Sequence, residues 1–409
     1  MYPRLVVAAG VSLAVLILPL CGKAPARTVS DKQVQKVHRS AVLVDTHNDV
    51  TSFTVQGLDI GASQAKRHTD LARLKQGGVG AVFFAVYVDS RYAQANQSAH
   101  RALEMIDTVR RDIAGRYSND FQLALTAGDI VRARKNGRIA VLLGIEGGHA
   151  IEDSLRLLRT FYDLGVRYMT LTHMNSNNWA ESSGEMEDSV GQRPKGLTDF
   201  GREVVREMNR LGMLVDISHV SDKAFRDVLE TSSAPVFASH SSCRALSGIA
   251  RNMSDEMIVA LAKKGGVIQI NFGCEFLNQE AAGNSPFFNP VLRPKFLEAL
   301  APYRDDPERR REEELRLMRE WNIPAPKAPL SDVVAHIDHV VKIAGIDAVG
   351  LGSDFDGVEC TPEGLEDVSK FPNLTRALLE RGYSPADIRK ILGSNLLRVM
   401  RAAERAAGR

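Results

Sequence analysis

The chain has 409 residues, 44% of them apolar and 25% charged, which leaves room for a sizeable core and excludes a disordered tail, a fibre and a multi-span membrane protein. Lys plus Arg number 52 against 50 Asp plus Glu, a net charge of +2, so no global field draws the chain to nucleic acid. Four cysteines without a C-x-x-C pair speak against a disulfide scaffold and against a zinc-finger site.

Residues 1–26 read as an export signal. Arg4 precedes the apolar run 5–20, which is shorter than the ~20 residues that span a bilayer, and Ala24-Pro-Ala26 is a small-residue cleavage site. Cleavage near Ala26 is the leading reading. Lipidation of Cys21 and a retained anchor are its rivals, and either would tether the N-terminus to a membrane. All three export the body of the protein, residues 27–409, to the periplasm or beyond. Cleavage leaves Cys243, Cys274 and Cys360, which read as three buried small hydrophobes.

Beyond the signal, apolar runs of strand length fall at 41–45, 79–88, 139–145, 166–171, 213–217, 235–238, 266–271 and 347–351. They lack strict alternation, as parallel strands buried on both faces do. Helical stretches separate them. Residues 153–164 put Leu155, Leu158, Phe161 and Leu164 on one stripe. Residues 198–212 open on Thr198 as cap, carry Phe200, Val204, Val205, Met208 and Leu211, and stop at Gly212. Eight strands alternating with helices predict an α/β fold, a (β/α)8 TIM barrel in a single domain. A doubly wound open sheet is the alternative, and no G-x-G-x-x-G turn supports it. Residues 275–330, with the charge run 304–311, form an excursion after the seventh strand. Residues 373–409 add C-terminal helices, with Ser384-Pro385 as a start signal.

Six of the eight strands run into His, Asp or Glu at their C-terminal ends: Asp45-Thr-His47-Asn-Asp49, Glu146, His173, Asp216-Ile-Ser-His219, His240, and Asp354-Phe-Asp356. Barrel enzymes place their active sites at that end. Imidazole and carboxylate together suit Zn2+ or a similar ion. His47 and Asp49, two apart, point the same way on a strand. Glu146 has two oxygens with which to bridge two ions, and His219 and His240 suit the second. Each piece alone is weak, because a lone strand-end His is more often a hydrogen-bonded rim residue. The bland reading would have to recur at six strands, and the joint pattern therefore carries the inference. His149, His336 and His339 read as structural or exposed, Arg67 to Asp70 as a helix cap, and Trp179 as packing at the pocket rim.

These motifs, with Leu171-Thr-His173-Met-Asn-Ser-Asn-Asn-Trp179-Ala180, Ser239-His-Ser-Ser242, Arg251-Asn252 and Gly352-Ser-Asp354-Phe-Asp-Gly357, resemble the membrane dipeptidase (renal dipeptidase) family of zinc peptidases. The resemblance runs from Val44 to Arg398. It implies two Zn2+ per chain, His47 and Asp49 on one, His219 and His240 on the other, with Glu146 between them. It implies Asp354 as the acid/base, His173 as a substrate-contacting histidine and Arg251 as the receptor of the substrate's free carboxylate. The implied activity is hydrolysis of dipeptides by a metal-bridged hydroxide. The alternatives are a binuclear amidase or lactonase acting on N-acyl amino acids, lactams or lactones, and a barrel without activity. The implied partner is a small dipeptide, and related barrels often pair as homodimers.

Overall fold

The computed structural model of the chain describes residues 28–184, 193–303 and 307–408. The signal at 1–26, with Cys21, lies outside the described residues, and so does part of the charge run; the remainder of that run opens the helix Pro307–Glu320. Among the described residues, no helix is long and apolar enough to cross a membrane.

Eight parallel strands follow one another round a barrel: β1 (Leu43–Asn48), β2 (Val79–Tyr87), β3 (Ile139–Glu146), β4 (Val166–Thr170), β5 (Leu214–Asp216), β6 (Phe237–Ser241), β7 (Val267–Ile270) and β8 (Val349–Leu351). All eight predicted runs are strands. A short extra strand, Phe121–Leu123, pairs beside Ile139–Val141 of β3. The seam between β8 and β1 is closed just beyond β8, where Asn48 bridges Phe355 in parallel, Asp49 N–H donates to Phe355 O at 2.8 Å and Asp354 N–H to His47 O at 3.1 Å. Barrel closure thus joins the segment 47–49 to the segment 354–355.

Strand periodicity sorts the side chains into two layers. In β3, Ala140 and Leu142 face the inner core, while Val141, Leu143 and Ile145 belong to the outer layer under the helices. The inner core also holds Val44, Phe83, Tyr168, Phe237 and Val267, and the last helix, Asn395–Ala406, contributes Leu396, Val399 and Met400 to it. The helices begin as their sequences predict. Thr198 accepts from Gly201 N–H at 3.2 Å to start Asp199–Leu211, and Ser154 caps Leu155–Asp163. Trp179 is fully buried beside Phe200 and away from the cavity described below, a deeper position than the rim predicted for it.

The excursion leaves β7 through the short helix Cys274–Leu277 and returns at the helix Leu330–Ala344. Here the cysteine expectation is corrected. Cys274 and Cys360 form a disulfide across 86 positions, with Cα atoms 5.4 Å apart, and among the described residues Cys243 is left as a free buried thiol. The pairing ties the root of the excursion to the loop after β8, a proximity that exists only once the barrel closes.

His336 is buried in the last helix before β8, accepting from Cys243 N–H at 3.0 Å and donating from Nε2 to Leu277 O at 3.0 Å. Burial pushes its pKa down to about 4. The group is neutral in both the folded and unfolded states above ~6.5, so the neutral-state stability is complete there and is lost as pH falls from 6.5 through 4. The expected loss is about 3 kcal/mol. Urea unfolding at pH 7 and pH 4.5 should show that His336→Gln, less stable at the start, loses less over this window than the wild type does. Equal losses would remove His336 as the cause.

Candidate metal centre and active site

Each strand ends in a polar residue or is followed within a few positions by one, at one rim. β1 supplies His47 and Asp49, β3 Glu146 and β6 His240, while His173, His219 and Asp354 follow β4, β5 and β8. The two strands that looked silent contribute as well: β2 ends in Tyr87, whose ring meets His173 edge-on at 4.7 Å, and Asn271 after β7 donates to Asp354 Oδ2 at 2.7 Å.

Glu146 sits at the centre and is 4% exposed. Its Oε2 lies 3.4 Å from His47 Nε2, which is 3.2 Å from Asp49 Oδ2. Its Oε1 lies 3.0 Å from His219 Nε2 and 3.1 Å from His240 Nε2, and those two nitrogens are 3.0 Å apart. Among the described residues, three overlapping groups bring their ligand atoms within 4.8 Å of one another: His47–Glu146–His240, Glu146–His173–His219 and His47–Asp49–Asp354.

The donor chemistry fits divalent cations. His47 Nε2 and Asp49 Oδ2 are buried and have no hydrogen-bond partner. Ser239 Oγ donates to Asp216 Oδ2 at 2.6 Å, so it accepts from His240 Nδ1–H at 2.7 Å. That turns the Nε2 lone pair of His240 toward Glu146. Burial, and after it the Arg251 charge for His219 and the His47 charge for His240, holds both pKa values well below the ordinary range, so both rings offer lone pairs at neutral pH. Burial also opposes charge on His47, but Tyr168, Glu146 and Asp49 outweigh it and raise that pKa well above the usual value, marking a spot that favours positive charge. Burial opposes ionisation of Glu146 too, yet the His47 charge, and after it the close imidazoles of His219 and His240, hold its carboxyl well below the usual range.

Buried carboxylates hold the loops that carry these groups. Asp45 accepts from Ser353 N–H at 2.8 Å and Ser353 Oγ at 2.6 Å across the β1–β8 seam. Burial raises Asp45 to about 6 against those hydrogen bonds. Asp216 accepts from Thr170 Oγ1 at 2.5 Å, Ser218 N–H at 3.0 Å and Ser239 N–H at 2.8 Å, tying β4, β5 and β6. His68 receives Asp356 N–H at Nδ1 (2.9 Å), while its own N–H donates to Asp356 Oδ1 (2.8 Å). Asp70 caps the helix Leu71–Gln76 as predicted.

The backbone is strained where the chemistry sits. His219 (φ 67°), Asp354 (φ 62°) and Asp356 (φ 68°) occupy the left-handed region, which Asp and His tolerate better than most residues. Gly357 follows, and a Cβ there would press on Asp49 Oδ2 and Asp354 Oδ1. Burial pushes Asp354 up to about 8; His47 and the Asn271 amide oppose this, and Asp49 and Glu146 add to it.

Arg251 is 4% exposed. Its Nη atoms donate to Ser241 Oγ and His240 O, both at 2.7 Å, and Nε has no partner. The guanidinium thus keeps one donor edge open behind His240. Burial lowers its pKa to about 10, so it stays charged at neutral pH.

Tyr168 is the residue that no sequence signal singled out. Its hydroxyl lies 2.7 Å from His47 Nδ1, and its ring occupies space left by Gly144, its register partner on β3. An inward tyrosine looks like core until its partner is known. Tyr168→Phe keeps the ring and removes the hydroxyl, so metal affinity, read by chelator competition, should fall by roughly 10–100-fold with the fold intact. An unchanged affinity would make Tyr168 core packing alone.

The profile of the membrane dipeptidase family (peptidase family M19) matches residues 31–409. A dipeptidase of Schizosaccharomyces pombe, described as uncharacterised, is 33% identical over 396 residues, covering 92% of this chain and 84% of the relative. Among solved structures, the probable dipeptidase PvdM of Pseudomonas aeruginosa aligns with a TM-score of 0.78 at 26% identity, over 92% of this chain and 98% of that one. The metallopeptidase dipeptidase AC aligns at 0.71 and 25% identity, over 89% and 98%. With a matched profile that spans nearly the whole described chain and a polar cluster at the rim where barrels hold their active sites, this chain belongs to the membrane dipeptidase family of metallopeptidases, peptidase family M19.

Proposed function

We propose that the protein is an exported zinc dipeptidase with a binuclear site, in which residues 27–409 are the catalytic unit and 1–26 the export signal. The observation that carries this reading is the placement of Glu146, with one oxygen toward His47 and the other toward His219 and His240. Two zinc ions held by His47 and Asp49, by His219 and His240, and by Glu146 in common would supply Lewis acidity, lowering the pKa of a water and polarising a carbonyl.

The chain's own groups do the rest. Asp354, held by Asn271, takes the proton of the attacking water and returns it to the departing amine. His173 lies beside His219, with ring centroids 4.5 Å apart, and donates a hydrogen bond to the carbonyl oxygen as charge develops there. Arg251 offers its Nε edge to the substrate's carboxylate. A longer peptide would bring a neutral amide there and leave a buried cation unpaired, which favours dipeptides. The Cys274–Cys360 disulfide supports export, since such bonds persist in oxidising compartments.

The test is a panel of dipeptides, N-acyl amino acids and lactones on metal-quantified protein. Dipeptides should be split, activity should vanish with a chelator, and zinc should restore it. Turnover of acyl amino acids or lactones without dipeptides would replace this reading with the amidase or lactonase one. Arg251→Ala should weaken kcat/KM for carboxylate-bearing substrates by about 1.5–3 kcal/mol, and an unchanged value would end its role.

A further inference from the structure

A cavity of about 830 Å³ opens over the metal-ligand cluster, near the upper end of the range that holds drug-sized ligands. On one side it is bounded by Asp49, Glu146, His173, His219, His240 and Asp354. The segment after β7 supplies the other side, with Phe276, Phe287, Phe288, Leu297, Leu315 and Met318. That wall has its own support. Phe288 packs edge-on against Phe276 at 5.8 Å, Phe287 against Phe296 at 5.3 Å, and Phe296 against Trp321 at 5.8 Å. The disulfide anchors the segment's root to the loop after β8. The apolar surface is therefore formed before any substrate arrives, so little ordering cost opposes binding to it.

Direction follows from Arg251, which does not line this cavity but lies behind His240, with Phe276 over its guanidinium at 5.5 Å. A carboxylate drawn to Arg251 puts the C-terminal residue on that side of the reacting centre. The N-terminal residue then extends past Phe276, which touches both Arg251 and Phe288, into the wide cavity. The margin there carries Glu275, Asp356 and Glu359, together with an Arg310–Glu314 pair at 3.4 Å. That balance suits a free α-ammonium and opposes an acidic side chain.

We infer that the wall built by the segment after β7 is a subsite for a large apolar or aromatic N-terminal side chain, making dipeptides such as Phe-Ala and Leu-Ala the preferred substrate class. This rests on the dipeptidase reading above. The experiment measures kcat/KM of the zinc-loaded enzyme on Phe-Ala, Leu-Ala, Ala-Ala, Gly-Ala, Asp-Ala and Ala-Phe. Burial of such a side chain should favour Phe-Ala or Leu-Ala over Gly-Ala by roughly 10–100-fold, with Asp-Ala among the poorest. Phe288→Ala should narrow the Phe-Ala to Ala-Ala ratio. Leu315→Asn should narrow it too, and Leu315 is 39% exposed, so its replacement does not threaten the fold. Turnover that is flat across N-terminal residues, or ratios unmoved in both variants, overturns the inference and leaves the dipeptidase reading standing. No turnover of any dipeptide overturns both.

Discussion

Asp354→Asn should lower kcat by about 100–10,000-fold, the usual worth of a positioned acid/base, while bound metal stays near the wild-type level. The exchange is nearly isosteric. Asn accepts the left-handed backbone at φ 62° as readily as Asp, and its amide oxygen still accepts from Asn271. What it lacks is an exchangeable carboxyl proton. Asp354 Oδ1 lies 4.0 Å from His47 Nε2, within the His47–Asp49–Asp354 group, so the variant also separates two roles. Metal analysis beside kcat decides between them: activity lost with metal retained supports acid/base work, whereas metal lost together with activity would make Asp354 a ligand.

Glu146→Gln should cost more than a catalytic step. The carboxylate offers an oxygen to each half of the cluster. An amide offers one oxygen and one NH2 group. Turned either way, the NH2 faces imidazole nitrogens or competes with a cation for the same space. Metal content should fall to one ion or fewer per chain. Affinity for what remains should drop by more than the ~10–100-fold that removal of an outer partner causes. The far-UV spectrum should be unchanged, because Glu146 is a rim residue and β3 is held by Ala140, Leu142 and its neighbours. Two ions per chain in the variant would show that Glu146 does not join the halves.

The strands were legible because buried parallel strands are long apolar runs, and the helices because Thr198 and Gly212 mark both ends of a stripe. Where polar residues continued a strand the reading stopped short, since β1 runs on to Asn48 through Asp45 and His47. The strand Phe121–Leu123 is three residues long, too short for any period to show. Asn271 was visible only as the end of an apolar run. Tyr168 was hidden because a tyrosine on an inward strand position is ordinary core.

The eight-strand alternation, and the rim at which His47, Asp49, Glu146, His173, His219, His240 and Asp354 would meet, could be read from the residues alone. Both follow from local periodicity and chain direction, which act between near neighbours. Which residues touch across the barrel emerged with the fold: Tyr168 under His47, Asn271 on Asp354, Ser239 between Asp216 and His240, Arg251 behind His240, and Cys274 bonded to Cys360. Most of these partners lie far apart in the chain, and closure of the β8–β1 seam and the packing of the segment after β7 set their distances. No local signal encodes those distances, because they are fixed by register and burial summed over the whole barrel.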